Sequence, residues 1–168
     1  AEANYKKTGK IIGLYIETKH PTYFKNQKLA MEDTLLKTLA KYKYTREIAP
    51  VYLQSFEVSN LKYLKDQLGL HKTIKHAQII QLYDAKTSQP ADFVESGETK
   101  TYADLATAEG LKDVAKYANG VGPSKGYILN FNDDGSVQTT SFISDAHKAG
   151  LKVHPYTCLL YTSPSPRD

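Results

Sequence analysis

Residues 13–21 have the sequence GLYIETKHP, which joins an apolar strand pattern to a carboxylate, a lysine and a proline. Successive side chains point to opposite faces of a β-strand, so Glu17 and Lys19 are expected to share one face. Pro21 helps to end the strand, because proline has no backbone N–H for a sheet hydrogen bond. The stretch therefore predicts a short strand whose carboxyl end carries an acid and an amine side by side.

The strand in this stretch is the first of several short β-rich runs, which alternate with helical patterns along the chain. The runs are IIGLYIE (11–17), VYLQSF (51–56), AQIIQLY (77–83), GVGP (120–123) and LKVHPYT (151–157). The helical patterns cover residues 27–41, a segment capped by Ser59 and ended by Gly69, residues 103–118 and residues 140–149. Strict alternation predicts parallel strands joined by right-handed crossovers.

This α/β pattern is compatible with an open doubly wound sheet or with a (β/α)8 barrel. No glycine-rich phosphate loop follows any strand, which disfavours the nucleotide-binding form of the open sheet. Two longer polar stretches, 84–102 and 124–139, follow strands, where barrel enzymes place the loops that face a substrate. The open sheet and the (β/α)8 barrel of the TIM type therefore both stay open at this point.

The composition is that of a globular protein, with 40% apolar and 24% charged residues. No run of about 18 apolar residues occurs, so no membrane span is expected. The net charge of +4 comes from lysines spread along the chain, with two arginines and no basic stripe. This distribution argues against a nucleic-acid partner.

The stretch CLLYTSPSPRD (158–168) differs from the rest of the sequence, because it has neither helical nor strand periodicity. It matches one reading frame through a common transposase sequencing adapter, so we expect it to be read-through; a natural proline-rich tail is the alternative. Such segments are excluded from fold reasoning. The predicted α/β domain then covers residues 1–157, and it contains no cysteine, since the one cysteine is Cys158.

An acid and an amine at the carboxyl end of a barrel strand lie where barrel enzymes place catalytic groups. A carboxylate there can hold a hard cation, and a lysine can neutralise a phosphate. The spacing of Glu17 and Lys19 alone is equally compatible with an ion pair that binds no ligand.

GLYIETKHP also resembles the E-x-K strand of glycerophosphodiester phosphodiesterases, most closely the periplasmic bacterial type and its secreted or plant relatives. The resemblance continues in order through PVYLQSF (50–56), the Gln-Leu of IIQLY (79–83), KYANGVGP (116–123) and AHKAGLKVHPYT (146–157). It implies a partial (β/α)8 barrel of the TIM type, of which the chain carries about the third to seventh strands. It also implies hydrolysis of small-molecule glycerophosphodiesters to an alcohol and sn-glycerol 3-phosphate, in the periplasm or outside the cell.

The resemblance further implies that Glu17 is a ligand of a divalent cation, Ca²⁺ or Mg²⁺, and that Lys19 lies near the phosphate. In the family, two more metal ligands come from a Glu-x-Asp motif, and two histidines, one of them in a His-Arg pair, are the acid–base catalysts. Neither motif occurs in this sequence. We therefore expect no catalytic acid or base in the chain, which would be an inactive piece of a longer enzyme.

Several polar residues near strand ends are expected to line the pocket: Gln54, Ser55, Gln81, His154 and Tyr156. For most of them packing or support of the site is favoured over catalysis, and for His154 pocket lining and packing are weighed equally. The other histidines are expected mainly on the surface.

Two other functions stay open. One is a catalytically silent barrel relative that acts as a binding or surface protein. The other is a different phosphodiesterase barrel, such as a phospholipase D-like toxin or a phosphoinositide phospholipase. The second is disfavoured, because those proteins lack the LQSF and VHPYT pair.

Overall fold

The computed structural model describes residues 1–71, 73–132 and 134–156, so the predicted adapter tail (158–168) lies outside the described residues. The strands are β1 (Leu14–Glu17), β2 (Val51–Ser55), β3 (Ala77–Tyr83), β4 (Gly120–Pro123), β5 (Leu129–Phe131), β6 (Val137–Thr139) and β7 (Lys152–Val153). Five of them form one parallel sheet in the order β1-β2-β3-β4-β7, and β5 and β6 form a separate antiparallel hairpin. The order confirms the predicted α/β class with a parallel sheet.

One helix precedes β1, and the others link the successive strands of the parallel sheet. The helices are α1 (Glu2–Thr8), α2 (Pro21–Asn26), α3 (Glu32–Lys41), α4 (Val58–His71), α5 (Ala91–Ser96), α6 (Tyr102–Leu105), α7 (Ala108–Ala115) and α8 (Phe142–Lys148). A π-helical turn (Tyr44–Ile48) precedes β2, and a 3-10 turn (Lys125–Tyr127) follows β4. None of the helices in the described ranges has the length and apolar character that crossing a membrane requires.

The parallel sheet is strongly curved. The hydroxyl of Tyr15 on β1 lies 2.8 Å from Nδ1 of His154, just after β7, although β1 and β7 are at opposite edges of the sheet. Side chains such as those of Val51, Leu53 and Ile79 are buried between the sheet and the helices. A curved parallel sheet with helices packed on one face is the geometry of part of a TIM barrel.

Several helix boundaries differ from the sequence prediction. The helix expected over residues 27–41 begins at Glu32, and Leu29 lies outside it with 63% of its surface exposed. An unpredicted helix, α2, comes earlier and begins at Pro21, because proline is well suited to the first helical position. The helix expected over 103–118 is divided into α6 and α7, because Thr107 caps a new helix start.

The predicted caps of α4 are also wrong. Ser59 and Gly69 both lie inside this helix, which runs to His71. The backbone N–H of Ser59 donates to Oδ2 of Asp92 at 2.6 Å, so a carboxylate distant in sequence supplies the cap. The two stretches predicted as loops also contain structure, since 84–102 includes α5 and 124–139 includes the hairpin of β5 and β6.

Candidate functional site

The strands β1 and β2 bring polar side chains together on the face of the curved sheet that is opposite to the helices, here called the open face. Tyr15 is paired with Tyr52, and Glu17 is paired with Gln54, in a parallel register. Because side chains alternate along a strand, these residues share a face and form two layers. Tyr15 and Tyr52 form the lower layer, and Glu17 and Gln54 form the upper layer at the carboxyl ends of the strands.

Glu17 and Lys19 are brought together as their spacing predicts. Nζ of Lys19 lies 3.9 Å from Oε2 of Glu17, with 72% of the Lys19 side chain and 24% of the Glu17 side chain exposed. Such an exposed pair contributes little to folding stability. Thr18, between them, faces the helices and donates from Oγ1 to Oδ1 of Asn60 at 2.7 Å, which anchors the end of β1.

The turn after Lys19 is fixed by a buried carboxylate that the sequence analysis missed. Glu57 accepts hydrogen bonds from the backbone N–H of Thr22, at 2.9 Å, and from the Thr22 hydroxyl. Burial raises the pKa of Glu57; the bonds from Thr22 oppose this effect, Asp92 adds to it, and His20 opposes it. The available signal was an acid directly after the VYLQSF run, where the strand ends.

His154 lies in the lower layer with two tyrosines. Its ring centroid is 5.8 Å from that of Tyr15 and 5.4 Å from that of Tyr52, and the two tyrosine rings are stacked at 5.1 Å. Burial, with a smaller effect of Lys152, lowers the pKa of His154. Burial, together with Tyr52, raises the pKa of Tyr15 to about 12.

Tyr156 lies in the upper layer, two residues after His154. Its hydroxyl donates to the carbonyl oxygen of Tyr83 at 2.7 Å, and its ring centroid is 6.1 Å from that of Phe56. Burial raises the pKa of Tyr156, and the negative charges of Asp84 and Glu17 add to the effect.

Two residues expected to line the pocket face the helices instead. Ser55 is buried, and its hydroxyl donates to the carbonyl oxygen of Thr18 at 3.2 Å. Gln81 is also buried; its amide donates to the carbonyl oxygens of Phe56 and Leu82, and its Oε1 accepts from Tyr117 at 2.8 Å. The pocket-lining expectation is corrected for Ser55 and Gln81, because strand alternation puts both on the covered face.

Among the residues that the structure describes, the remaining histidines and acids do not form a second centre. His20, His71, His76 and His147 are all exposed. Within residues 1–71, 73–132 and 134–156, no three or more His, Cys, Asp and Glu side chains converge closely enough to hold a metal ion. Glu17 can therefore contribute one oxygen ligand, and the described residues do not complete a ligand set around it.

Comparison with known proteins gives a consistent result. The model of the glycerophosphoryl diester phosphodiesterase family matches residues 3–163. A glycerophosphodiester phosphodiesterase of Haemophilus influenzae is 30% identical over 156 residues, which are 90% of this chain and 43% of that protein. The glycerophosphodiester phosphodiesterase GDPD6 of Arabidopsis thaliana is 29% identical, covering 88% of this chain and 40% of that protein. A glycerophosphodiester phosphodiesterase of Treponema pallidum is 28% identical, covering 94% of this chain and 46% of that protein. The chain spans less than half the length of these curated relatives.

Proposed function

Because the chain belongs to the glycerophosphoryl diester phosphodiesterase family, we propose that it supplies part of the active site of an enzyme that hydrolyses glycerophosphodiesters. The products are an alcohol and sn-glycerol 3-phosphate. The observation that carries the proposal is the placement of Glu17 and Lys19 together at the carboxyl end of β1. In a TIM barrel this end of the strands holds the catalytic groups.

Lys19 acts on the phosphate in this proposal. Its ammonium group is largely exposed and is held loosely by Glu17, so it is free to approach an anionic oxygen. A lysine is a compact cation that offsets charge on phosphate oxygens. Charge that develops on those oxygens as the phosphodiester is attacked is stabilised by such a fixed cation.

Glu17 is proposed as one ligand of a divalent cation, Ca²⁺ or Mg²⁺. The fit is chemical, because both ions prefer oxygen ligands. Across the described residues the Glu17 carboxylate makes the long contact with Lys19 and accepts no hydrogen bond, so its oxygens are open to a ligand. A bound cation would polarise the phosphate as a Lewis acid.

We propose that the general acid and the general base are two histidines from another part of a longer polypeptide. One would take a proton from the nucleophile, and the other would protonate the oxygen of the leaving alcohol as its bond to phosphorus breaks. In the overall hydrolysis water supplies the new oxygen on phosphorus and the proton gained by the alcohol. The absence of His-Arg and Glu-x-Asp motifs from the sequence supports this division, as does the length of the relatives. The chain by itself is then inactive. A periplasmic or extracellular location is part of the same proposal and is supported by the family resemblance.

The proposal is tested by incubating glycerophosphocholine with the chain alone and with a longer polypeptide that contains it. Release of glycerol 3-phosphate is measured with Ca²⁺ or Mg²⁺ and again after chelation. We expect turnover by the longer polypeptide, loss of turnover on chelation, and none by the 168-residue chain. A longer polypeptide that binds glycerophosphocholine without cleaving it would favour the catalytically silent relative.

A further inference from the structure

The hydrogen bond between Tyr15 and His154 joins the two edges of the parallel sheet. Tyr15 is on β1, and His154 follows β7 by one residue, while the other three strands lie between them in the sheet. The 2.8 Å distance is that of a well-formed hydrogen bond. The contact therefore fixes how far apart the edges stand across the open face.

The direction of this hydrogen bond decides the chemistry of His154. If Tyr15 donates to Nδ1, the neutral imidazole carries its proton on Nε2 and cannot act as a base there. If Nδ1–H donates to the phenol oxygen, Nε2 is left as a proton acceptor. The two arrangements have the same heavy-atom positions, so the choice follows from acidity and surroundings.

Acidity favours the phenol as the donor. A tyrosine hydroxyl, with a reference pKa of about 10, is a far stronger acid than the N–H of a neutral imidazole, and an imidazole nitrogen is a far better acceptor than a phenol oxygen. The surroundings keep the imidazole neutral. Burial, with the nearby charge of Lys152, lowers the pKa of His154. Lys152 is itself held by Oε1 of Gln78 at 2.9 Å.

The bond supports the upper layer directly. Glu17 is two residues beyond Tyr15 on β1, and Tyr156 is two residues beyond His154. Each residue of the lower layer is therefore joined through a short stretch of backbone to a residue of the upper layer. The backbone N–H of His154 donates to Val121 at 2.8 Å, and that of Tyr156 donates to Pro123 at 3.0 Å, so this segment is held firmly against β4. A shift of His154 relative to Tyr15 would therefore move Tyr156 relative to Glu17.

We propose that Tyr15 and His154 are positioning residues: the Tyr15 hydroxyl donates to Nδ1, holds the imidazole as the Nε2–H tautomer, and fixes the distance between Glu17 and Tyr156. The hydrogen bond itself stands on the geometry of the chain, and the choice of its donor stands on the acidities of the two groups. The effect on catalysis rests on the proposed function.

Nuclear magnetic resonance of the full chain with ¹⁵N-labelled histidine tests the assignment without any substitution. The resonances of His154 are identified as those that disappear in His154→Asn. We expect their chemical shifts to show a protonated Nε2 and an unprotonated Nδ1. In Tyr15→Phe we expect loss of the single tautomer and titration of His154 at a higher pH than in the unaltered chain. As a control, Tyr23→Phe removes an exposed hydroxyl from α2 and should change neither the tautomer of His154 nor the pH at which it titrates. A proton on Nδ1 in the unaltered chain would overturn the inference.

A pair of substitutions tests the positioning role in a longer polypeptide with phosphodiesterase activity. Asparagine places its amide oxygen near the position of Nδ1, so His154→Asn keeps an acceptor for Tyr15, whereas His154→Leu does not. We expect His154→Leu to lower kcat about 10-fold to 100-fold, as misplacement of reacting groups does, and His154→Asn to retain most of the activity. Equal losses in both variants would contradict the positioning role. If the NMR spectrum shows the expected tautomer but the longer polypeptide hydrolyses no phosphodiester, only the proposed function is contradicted.

Discussion

Glu17 and Glu98 each begin the tripeptide Glu-Thr-Lys, yet the fold gives the two tripeptides different surroundings. The first ends β1 on the open face, and its central residue, Thr18, is buried and hydrogen-bonded to Asn60. The second lies in the segment after α5, where Nζ of Lys100 is 3.4 Å from Oε1 of Glu98 and Thr99 is exposed. The ion pair is common to both tripeptides, so the position at the end of a strand is what makes Glu17 and Lys19 candidate site residues.

The raised pKa of Glu57 predicts a pH dependence of stability. Because burial makes the folded-state pKa higher than the unfolded value, the folded state favours the protonated carboxyl. The free energy of unfolding therefore receives its full contribution below the unfolded pKa and loses it as the pH rises through the folded pKa. Glu57→Gln should remove this contribution, and denaturant unfolding at several pH values measures it. An identical pH profile in both proteins would contradict the effect.

The helix α4 shows the role of contacts distant in sequence. Its predicted cap, Ser59, follows the usual preference for serine at helix starts, but the helix begins one residue earlier and is capped by Asp92. Strand positions were predicted more closely than helix ends, because β2, β3 and β4 are short apolar runs with a strong pattern. The faces of Ser55 and Gln81 were missed because their polarity was weighted above strand alternation, which places them with the buried Leu53 and Ile79.

Two leucines of α4 provide a matched pair for core stability. Leu61 is fully buried between α4 and the sheet, whereas Leu70 on the same helix is 74% exposed. Leu61→Ala should lower the free energy of unfolding by about 2–5 kcal/mol, because it leaves a cavity in the core. Leu70→Ala should change it by less than about 0.5 kcal/mol. Urea unfolding of both variants checks the pair, and similar losses would contradict the described packing.

The close packing around Gly120 in β4 leads to a second prediction for a single element. A Cβ on Gly120 would stand 2.8 Å from the carbonyl oxygen of Lys152, closer than real contacts of this kind. Gly120→Ala should therefore push β4 and β7 apart and destabilise the chain by about 1–3 kcal/mol. Gly69→Ala in α4 meets no atom within 4 Å and should be neutral or slightly stabilising, and thermal unfolding distinguishes the two.

At the scale of the whole molecule, the fold class followed from the alternation of strands and helices, whereas the shape of the open face did not. Tyr15 and His154 are 139 positions apart, and no local pattern connects them. Their meeting depends on the curvature of the sheet, which arises from the twist of all its strands together. The added hairpin of β5 and β6 was missed because its strands are only three residues each.

The predicted adapter tail gives a test on the same scale. If residues 158–168 are read-through and not part of the fold, a version of the chain that ends at residue 157 should unfold at the same denaturant concentration as the full chain. Urea unfolding followed by circular dichroism compares the two. A marked loss of stability on deletion would instead favour a natural tail that packs on the domain.

The central claim is that Glu17 and Lys19 act on the phosphodiester. The second Glu-Thr-Lys tripeptide, residues 98–100, provides the control for its most direct test. In a longer polypeptide with phosphodiesterase activity, kcat/KM for glycerophosphocholine is measured for Glu17→Gln and Lys19→Met, beside Glu98→Gln and Lys100→Met. We predict losses of at least about 100-fold for the first two, because each removes a charge from the reacting phosphate. The second two should retain full activity. Full activity in Glu17→Gln, or equal losses in both tripeptides, would contradict the assignment.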